Sequence, residues 1–439
     1  MAYDLLIEDA TIVSSRGRLV ADIGIEGGRI AYVGTRPMGR AKEKMSAIGK
    51  FVMPGIIDTH VHFRSPGHPN KETWETGSRA AVSSGVTTVL DMPNTNPLTV
   101  DLKGLEVKRK LAKAESRANY GLWAGATGNN ISELNALVEA GVCGIKIFMG
   151  GSTGPLLVPP DQLERIYTDT TGLIGVHAED EQILSAKRAE FRGQETPLHH
   201  LVRPDSAAEA AVKTLIALVK EHKRHTHICH MSTAAEIHLL DPTRGVLPIT
   251  IEACPHHLFL STDTTSEMGN LTKCNPPVRP ELDRKAMWTA LKRGRVDTIG
   301  SDHAPHTLEE KALPYWEAPS GIPGVETSFP LMLSAIHHGK LGLERMVELM
   351  SEAPARIFGL ENKGEIAQGR DADLVLFTEG ELQRFTANQV LSKCGWSPFV
   401  GRDLGPKPEL VLVGGKKVAQ RGKIVDDTVR GSEVRIRRR

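Results

Sequence analysis

Hydrophobic and polar positions along the middle of the chain follow two alternating patterns. Short apolar runs, typical of buried parallel strands, alternate with stretches such as 101–115 and 206–222, which repeat apolar residues at i, i+3 and i+4. The runs that read as strands are GIIDTHVHF, GVTTVLDM, YGLWAGAT, GIKIFM, LIGVHAE, HTHICHM, LPITIEACP and VDTIGSDH. Strands alternating with helices over about 300 residues predict an α/β protein with a (β/α)8 TIM-like barrel. An open, doubly wound sheet is the alternative.

The two ends of the chain have a different pattern of apolar and polar residues from the middle. Short β-rich runs lie between glycine turns, as in DLLIEDATIV and RIAYVG near the start and DADLVLF near the end. Neither end alone has enough strands to bury a sheet face, so we expect the two ends to pair. The sequence therefore predicts a small β-sandwich domain made of residues 1–55 and 360–439, beside a barrel of residues 56–359.

Composition narrows the range of partners. Lys and Arg number 54 against 53 Asp and Glu, which argues against a protein that binds nucleic acid or a membrane surface. The chain has no apolar run of about 18 residues, and its start lacks the basic-then-apolar order of a signal peptide. Five scattered cysteines without a CxxC pair fit a reduced, cytoplasmic chain. We expect a small-molecule substrate and a homo-oligomer, either dimer or tetramer.

Histidines are numerous, and several polar residues fall where predicted strands end, which is where such barrels place their active sites. His60 and His62 are two apart in a predicted strand, so both imidazoles point to one face and form half of a metal site. This pair alone is weak evidence. His177, His230 and Asp302 end later strands, and each by itself could be structural. Together, these five residues predict a metal site.

The number of metal ions depends on a bridging group. Two cations about 3.5–4 Å apart need a bridging anion, and the segment between Glu139 and Asp161 offers no carboxylate. It offers Lys146 instead. A buried neutral amine can add carbon dioxide and become a carbamate, whose two oxygens suit such a bridge. A lysine that extends to solvent or pairs with a carboxylate is the alternative.

Four further residues are candidates for binding a substrate carboxylate or ring. Arg64 lies two residues after the second histidine, on the same face if the strand continues, and its guanidinium can bind a carboxylate bidentately. Asn94 and Asn275 can add amide hydrogen bonds, and His306 can reach the same anion if its loop folds back. The alternatives are an ion pair for Arg64 and turn roles for the two asparagines. The Gly- and Pro-rich stretch 306–327 is a candidate lid whose backbone approaches the ring.

Eight motifs carry a resemblance to a known family over nearly the whole chain. They are HVHFRSPG, VTTVLDMPNT, KIFMGGSTG, VHAED, ICHMS, NPPVR, GSDHAPH and PSGIPGVET. The chain resembles the cyclic amidohydrolases, a superfamily that also builds a split β domain from its termini. Within it, HxHFR, MPNT and SDHAPH are most similar to the dihydroorotases, which interconvert N-carbamoyl-L-aspartate and dihydroorotate in pyrimidine synthesis.

The resemblance implies a site with two zinc ions bridged by carboxylated Lys146. The implied ligands are His60, His62 and Asp302 for one ion and His177 and His230 for the other. A metal-bridged hydroxide would attack the ring amide, and Asp302 would carry the proton to the departing nitrogen. One departure concerns the subclass: many bacterial long-chain dihydroorotases carry Asp at the bridge position, whereas hydantoinases and some other dihydroorotases share the lysine.

Two other classes of function are alternatives to dihydroorotase: another ring-opening enzyme and an inactive scaffold. Allantoinase and hydantoinase, or dihydropyrimidinase, are also ring openers with which the lysine is compatible. Arg64 and His306 favour a substrate that carries a carboxylate beside the ring, because a neutral ring would leave these cations unpaired. The other class is a catalytically inactive scaffold that assembles with a partner enzyme. Such relatives usually lose ligands, whereas this chain keeps every predicted one.

Overall fold

The amino-terminal residues form five strands in this computed structural model, which describes residues 2–152, 154–196 and 198–437. The strands are β1 (Ala2–Ser14), β2 (Gly17–Glu26), β3 (Arg29–Gly34), β4 (Arg40–Ser46) and β5 (Phe51–Pro54). β1 pairs antiparallel with β2 and parallel with β4 and β5. Leu5, Ile7 and Ile23 belong to a separate hydrophobic core of this sheet. The β-rich pattern of the amino-terminal residues is therefore confirmed.

Eight parallel strands form the centre of the molecule. They are β6 (Ile56–Val61), β7 (Val86–Asp91), β8 (Asn119–Gly125), β9 (Gly144–Phe148), β10 (Ile174–His177), β11 (Thr226–Ile228), β12 (Ile249–Ala253) and β13 (Thr298–Ile299). Each pairs with its neighbour in chain order. The barrel closes between its last and first strands, because Val61 bridges His303 and the backbone N–H of His62 donates to the carbonyl of His303 at 2.8 Å. Each predicted run overlaps one strand, and the barrel rather than the open sheet is confirmed.

Helices follow the barrel strands and pack against them. They are α1 (Trp74–Ser83), α2 (Leu102–Glu115), α3 (Ile131–Glu139), α4 (Pro160–Asp169), α5 (Glu181–Phe191), α6 (His199–Val202), α7 (Asp205–His222), α8 (Ala234–Leu240), α9 (Pro255–Phe259), α10 (Thr262–Thr265), α11 (Glu281–Lys292), α12 (Leu308–Lys311), α13 (Ser328–His337), α14 (Leu343–Val347) and α15 (Ala353–Ile357). The Asp101 side chain caps α2 by accepting from the backbone N–H of Gly104, and α7 buries its apolar face, including Leu215 and Val219. Both helices predicted from periodicity are present.

The carboxy-terminal strands complete the amino-terminal sheet. They are β14 (Leu374–Phe377), β15 (Gln383–Arg384), β16 (Asp403–Leu404), β17 (Leu410–Val413), β18 (Lys416–Gln420) and β19 (Lys423–Ile424). β14 pairs antiparallel with β5, so strands from both ends share one nine-stranded sheet, while β15 and β16 pair separately. The predicted fold class, a barrel with a sheet domain from both termini, is confirmed. The division into residues 1–55 plus 360–439 and 56–359 stays a prediction.

Candidate metal centre and substrate cavity

One cavity at the carboxyl ends of the barrel strands collects most of the predicted site residues. Those that line it are His60, His62, Arg64, His177, His230, Asn275 and Asp302. The other predicted residues contact members of this set or their neighbours, as described below. Parallel strands bring their carboxyl ends to one face of a barrel, so residues about 240 positions apart in the chain meet there.

Asp302 lies against the two histidines of the HxH motif. Its Oδ1 atom is 3.3 Å from Nε2 of His60 and 3.0 Å from Nε2 of His62. All three side chains are buried. Asp302 follows β13 in a left-handed backbone conformation, with φ of 45°, which turns the chain away from the strand. Three donor atoms therefore converge on one point of the cavity.

The second pair of histidines lies beside the first. Nδ1 of His177, at the end of β10, is 3.1 Å from Nε2 of His230, which follows β11. The ring centroids of His60 and His230 are 5.2 Å apart, so the two pairs are adjacent. One donor atom each from His60, His230 and Asp302 lie within 4.8 Å of one another. This nitrogen and oxygen donor set is one that zinc accepts.

The far nitrogens of the HxH pair are held by side chains behind the cavity. Nδ1 of His60 is 2.8 Å from Oε1 of Glu252 on β12, and Nδ1 of His62 is 2.6 Å from Oδ1 of Asn94. Each oxygen accepts the imidazole hydrogen, which leaves the Nε2 atoms free to face Asp302. The sequence analysis assigned no role to Glu252. Its only sequence signal is a lone acid in the apolar run ITIEA.

A second buried carboxylate orients His177. Nε2 of His177 is 2.8 Å from Oε2 of Glu179, which turns Nδ1 toward His230. Arg203 pairs with Glu179, and Arg279 approaches it to 4.0 Å. Two guanidinium groups therefore balance one carboxylate in the interior, as a buried charge requires. The sequence analysis missed Glu179 and both arginines, which meet only in the folded chain.

Lys146 lies on β9 and is completely buried. Its Nζ is 5.2 Å from the centroid of the Phe148 ring. Within the described part of the chain, neither Nζ of Lys146 nor Nδ1 of His230 has a hydrogen-bond partner. Buried polar groups rarely remain unpaired, so the orphaned amine fits an additional bound group here better than it fits an ion-paired or solvent-extended lysine.

Burial and charge oppose each other at the histidines. Burial lowers the pKa of His60, but Asp302 and Glu252 more than offset this effect and hold that pKa at about 10. Burial lowers the pKa of His62 to about 4 and those of His177 and His230 below their usual range. The nearby His60 and His62 imidazoles overcome burial at Asp302 and hold the pKa of its carboxyl well below normal. The two carboxylates thus favour positive charge between them.

Arg64 and His306 meet at the other side of the cavity. Nη2 of Arg64 lies 3.1 Å from Nε2 of His306, and Nε of Arg64 donates to the Pro305 carbonyl at 3.2 Å. The expected route was wrong in one respect: β6 ends at Val61, and Arg64 reaches the cavity through a left-handed turn with φ of 58°. Burial lowers the pKa of Arg64 to about 10, which keeps the guanidinium charged near neutrality.

The two asparagines occupy different positions. Asn275 lines the cavity, and its Oδ1 is 3.0 Å from Nε2 of His199. Asn94 contacts His62, as described above. The sequence analysis assigned no role to His199, so its contact with a candidate substrate group was missed. Nothing in its sequence neighbourhood, TPLHHLV, distinguished it.

The Gly- and Pro-rich stretch 306–327 forms one wall of the cavity. Gly321 lines it, and a Cβ added there would come within 2.3 Å of the Ala304 carbonyl oxygen. The buried Nζ of Lys311 donates to the carbonyls of Pro319 and Gly321, both at 3.0 Å. Gly321 therefore packs closely against a neighbouring backbone segment, and Lys311 holds the loop in place. The approach of this backbone to a substrate ring stays a prediction. A lid motion stays a prediction.

Comparison with known proteins agrees with this geometry. Residues 51–418 match the model of the amidohydrolase family. A dihydroorotase from Halobacterium salinarum is 38% identical over 418 residues, covering 94% of this chain and 96% of that protein. An allantoinase from Escherichia coli is 33% identical, covering 99% and 97%.

A solved structure extends the likeness to the fold. L-hydantoinase (dihydropyrimidinase) from Arthrobacter aurescens superimposes with a TM-score of 0.94 at 30% identity, covering 99% of this chain and 100% of that one. No helix among the described residues is both long and apolar enough to cross a membrane. The expected resemblance to cyclic amidohydrolases is confirmed. This chain belongs to the amidohydrolase family.

Proposed function

We propose that this chain is a dihydroorotase, which opens the ring of (S)-dihydroorotate to N-carbamoyl-L-aspartate and closes it in the synthetic direction of pyrimidine biosynthesis. The observation that carries the proposal is the buried Arg64 guanidinium, which lines the same cavity as the cluster of histidines and Asp302. Among the described residues Arg64 forms no direct ion pair, although Asp302, Asp91 and Glu310 act on its charge. A buried guanidinium of this kind favours a substrate with a carboxylate. The names of the archaeal relatives support the same substrate.

Two zinc ions per chain would occupy the donor set. Nε2 of His60, Nε2 of His62 and the Asp302 carboxylate would hold one ion, and His177 and His230 would hold the other. Lys146 would bridge them as a carbamate: its neutral amine adds carbon dioxide, an N–C bond forms, and one proton leaves. The orphaned, buried Nζ supports this modification.

The chemistry of ring opening divides between the ions and the chain. Bound zinc would supply Lewis acidity and lower the pKa of water at the site. Asp302 would be the catalytic residue, accepting a proton from the attacking water and delivering it to the ring nitrogen as the amide C–N bond breaks. The reverse sequence closes the ring.

Four residues would bind the substrate. Arg64 and His306 would receive the carboxylate of dihydroorotate, with the guanidinium supplying the charge. Asn275 and Asn94 would donate amide hydrogen bonds to substrate oxygens.

Allantoinase or hydantoinase is the second candidate function. The E. coli relative named allantoinase and the L-hydantoinase structure favour it, since both align along nearly the whole chain. Neither allantoin nor hydantoin carries a carboxylate, so either substrate would leave the buried Arg64 without a direct ion-pair partner. Dihydroorotate is therefore preferred.

The deciding experiment offers zinc-loaded protein dihydroorotate, allantoin and hydantoin separately and follows ring opening. We expect dihydroorotate to be opened fastest, and Asp302→Asn to abolish turnover. If the protein opened the ring of allantoin but not that of dihydroorotate, the proposed substrate would be wrong. Zinc well below one ion per chain in an inactive protein would instead favour the scaffold.

Location and assembly belong to the same proposal. All five cysteines are free and buried, which suits the reducing cytoplasm where we place the enzyme. A dimer or tetramer stays a prediction, which light scattering on the purified full chain would test. A monomeric mass for active enzyme would contradict it.

A further inference from the structure

His199 links two residues that lie far apart in the chain. Its Nδ1 is 2.6 Å from the hydroxyl of Tyr315. Its Nε2 is 3.0 Å from Oδ1 of Asn275 and 3.0 Å from the carbonyl oxygen of Cys274. His199 begins the short helix α6, whereas Tyr315 belongs to the loop that follows α12. Three separate segments therefore converge behind one wall of the substrate cavity.

The direction of these hydrogen bonds follows from the chemistry of the partners. The carbonyl oxygen of Cys274 only accepts, so Nε2 of His199 carries the hydrogen and donates it. The Asn275 atom that faces the same nitrogen must then be the carbonyl Oδ1, because an amide NH2 would oppose an N–H. This argument fixes the orientation of the amide independently of how similar its two ends look.

The other ring nitrogen completes the chain. With the hydrogen on Nε2, Nδ1 of a neutral His199 is an acceptor, and the Tyr315 hydroxyl donates to it. Burial lowers the pKa of His199 to about 3 and raises the pKa of the Tyr315 hydroxyl well above its usual range. Near neutral pH the imidazole is therefore uncharged and the phenol is protonated, as this direction requires.

We propose that His199 and Tyr315 are positioning residues that hold Asn275 as an obligate hydrogen-bond donor to the substrate. This inference rests on the proposed function. Nδ2 of Asn275 lies 3.4 Å from Oγ of Ser152, which also lines the cavity. Its second amide hydrogen has no partner among the described residues and can serve a ligand. The group it recognises is an oxygen acceptor, either a carboxylate or a ring carbonyl. A ring N–H presented there would meet another donor.

The hydrogen bonds from Tyr315 through His199 to Asn275 form a chain that we call the relay. Loss of the relay would let the Asn275 amide rotate. A flipped Asn275 presents its carbonyl oxygen to a substrate oxygen, which replaces attraction by repulsion. Hydrogen bonds to charged groups are strong enough that losing one weakens binding by roughly tenfold or more. The metal donors and Asp302 lie outside this chain of contacts. The effect should therefore appear in KM and leave kcat and zinc content almost unchanged.

Three variants of the zinc-loaded full chain test the relay. His199→Leu should raise KM for dihydroorotate by about tenfold with kcat within about twofold of wild type. His199→Gln, whose amide can still donate toward Asn275, should recover part of the loss. Tyr315→Phe keeps the ring that lies 4.2 Å from Nζ of Lys273 and should raise KM less than the leucine variant. Unchanged KM in His199→Leu would overturn the proposal.

A matched control separates the relay from the loss of any buried hydroxyl. Tyr167→Phe removes a hydroxyl on α4 that lies 3.0 Å from Oγ1 of Thr226, at the start of β11 and away from the cavity. It should leave KM unchanged. A KM rise in Tyr167→Phe equal to that in Tyr315→Phe would show a general loss of stability and overturn the assignment.

A spectroscopic measurement keeps the relay distinct from the substrate. In 15N-histidine-labelled protein, the resonance lost in His199→Leu should have the pattern of an Nε2–H tautomer. An Nδ1–H tautomer would overturn the relay whatever the substrate is. Wild-type enzyme that does not open dihydroorotate would overturn the proposed function, while an Nε2–H tautomer in that enzyme would still support the relay.

Discussion

Oε1 of Glu252 lies 2.8 Å from Nδ1 of His60, and both side chains are buried inside the barrel. The carboxylate accepts the Nδ1 hydrogen and so directs Nε2 toward Asp302, 3.3 Å away. Carboxylates in this position orient histidine ligands and raise their basicity. Metal affinity should therefore depend on a residue that is not itself a ligand.

Glu252→Gln is expected to weaken zinc binding by about tenfold or more, because an amide holds the His60 ring less firmly than a carboxylate does. Competition with a chromophoric chelator measures the affinity. The matched control is Glu326→Gln, a buried carboxylate that accepts from the backbone N–H groups of Leu391 and Ser392. Equal zinc affinity in wild type and Glu252→Gln would contradict the assigned role.

Lys146 should carry carbon dioxide. Wild-type protein equilibrated with zinc and 13C-bicarbonate should show a carbamate resonance by 13C NMR, and Lys146→Ala should lack it and bind less zinc. The reason is that the buried Nζ has no hydrogen-bond partner among the described residues. Lys407→Met, which alters a half-buried lysine outside the cavity, should keep the signal. A two-zinc enzyme without the resonance would exclude the modification.

Arg64→Ala should raise KM for dihydroorotate by roughly 10- to 100-fold, the effect of losing a charge-assisted hydrogen bond to the substrate carboxylate. Zinc content should stay normal, since no metal donor is removed. Arg64→Lys keeps the positive charge but lacks the planar guanidinium group. Its KM should lie between those of wild type and Arg64→Ala. Steady-state kinetics with parallel metal analysis decides the matter. Loss of zinc with an unchanged KM would contradict the assignment of Arg64 to the substrate carboxylate.

Lys311 should make stability depend on pH. Burial lowers the pKa of its ammonium to about 7, whereas a lysine in an unfolded chain titrates near about 10.4. Between these values the unfolded chain binds the extra proton, so this residue's contribution to the free energy of unfolding rises with pH across that window. Below it, the contribution is at its least favourable.

Lys311→Met should remove that dependence. The variant also loses three hydrogen bonds, to the carbonyls of Lys273, Pro319 and Gly321, and should be less stable by about 1–3 kcal/mol. Urea unfolding at several pH values from about 7 to 10 measures the difference. The advantage of wild type should grow as pH rises. A constant difference would show that Lys311 does not titrate in this window.

Strand positions could be predicted because buried parallel strands leave a local signal. GIKIFM and GVTTVLDM are mostly apolar, and each contains a barrel strand in which every residue is buried. The HxH pair was predicted for a similar reason: side chains two apart share a face, and the two rings lie 5.3 Å apart. Arg64 was placed in the cavity for a wrong reason, since the strand ends at Val61 and Arg64 itself has a left-handed backbone conformation.

The periodicity of apolar residues and the polar residues at strand ends settle the barrel and the candidate donors, because both are local properties of the chain. Only the tertiary structure decides which residues, distant in the sequence, hold these side chains in position. Glu252 reaches His60 across 192 positions, and Tyr315 reaches His199 across 116. A buried carboxylate or imidazole takes its role from whatever lies within hydrogen-bonding distance, and neighbours in sequence do not encode that distance.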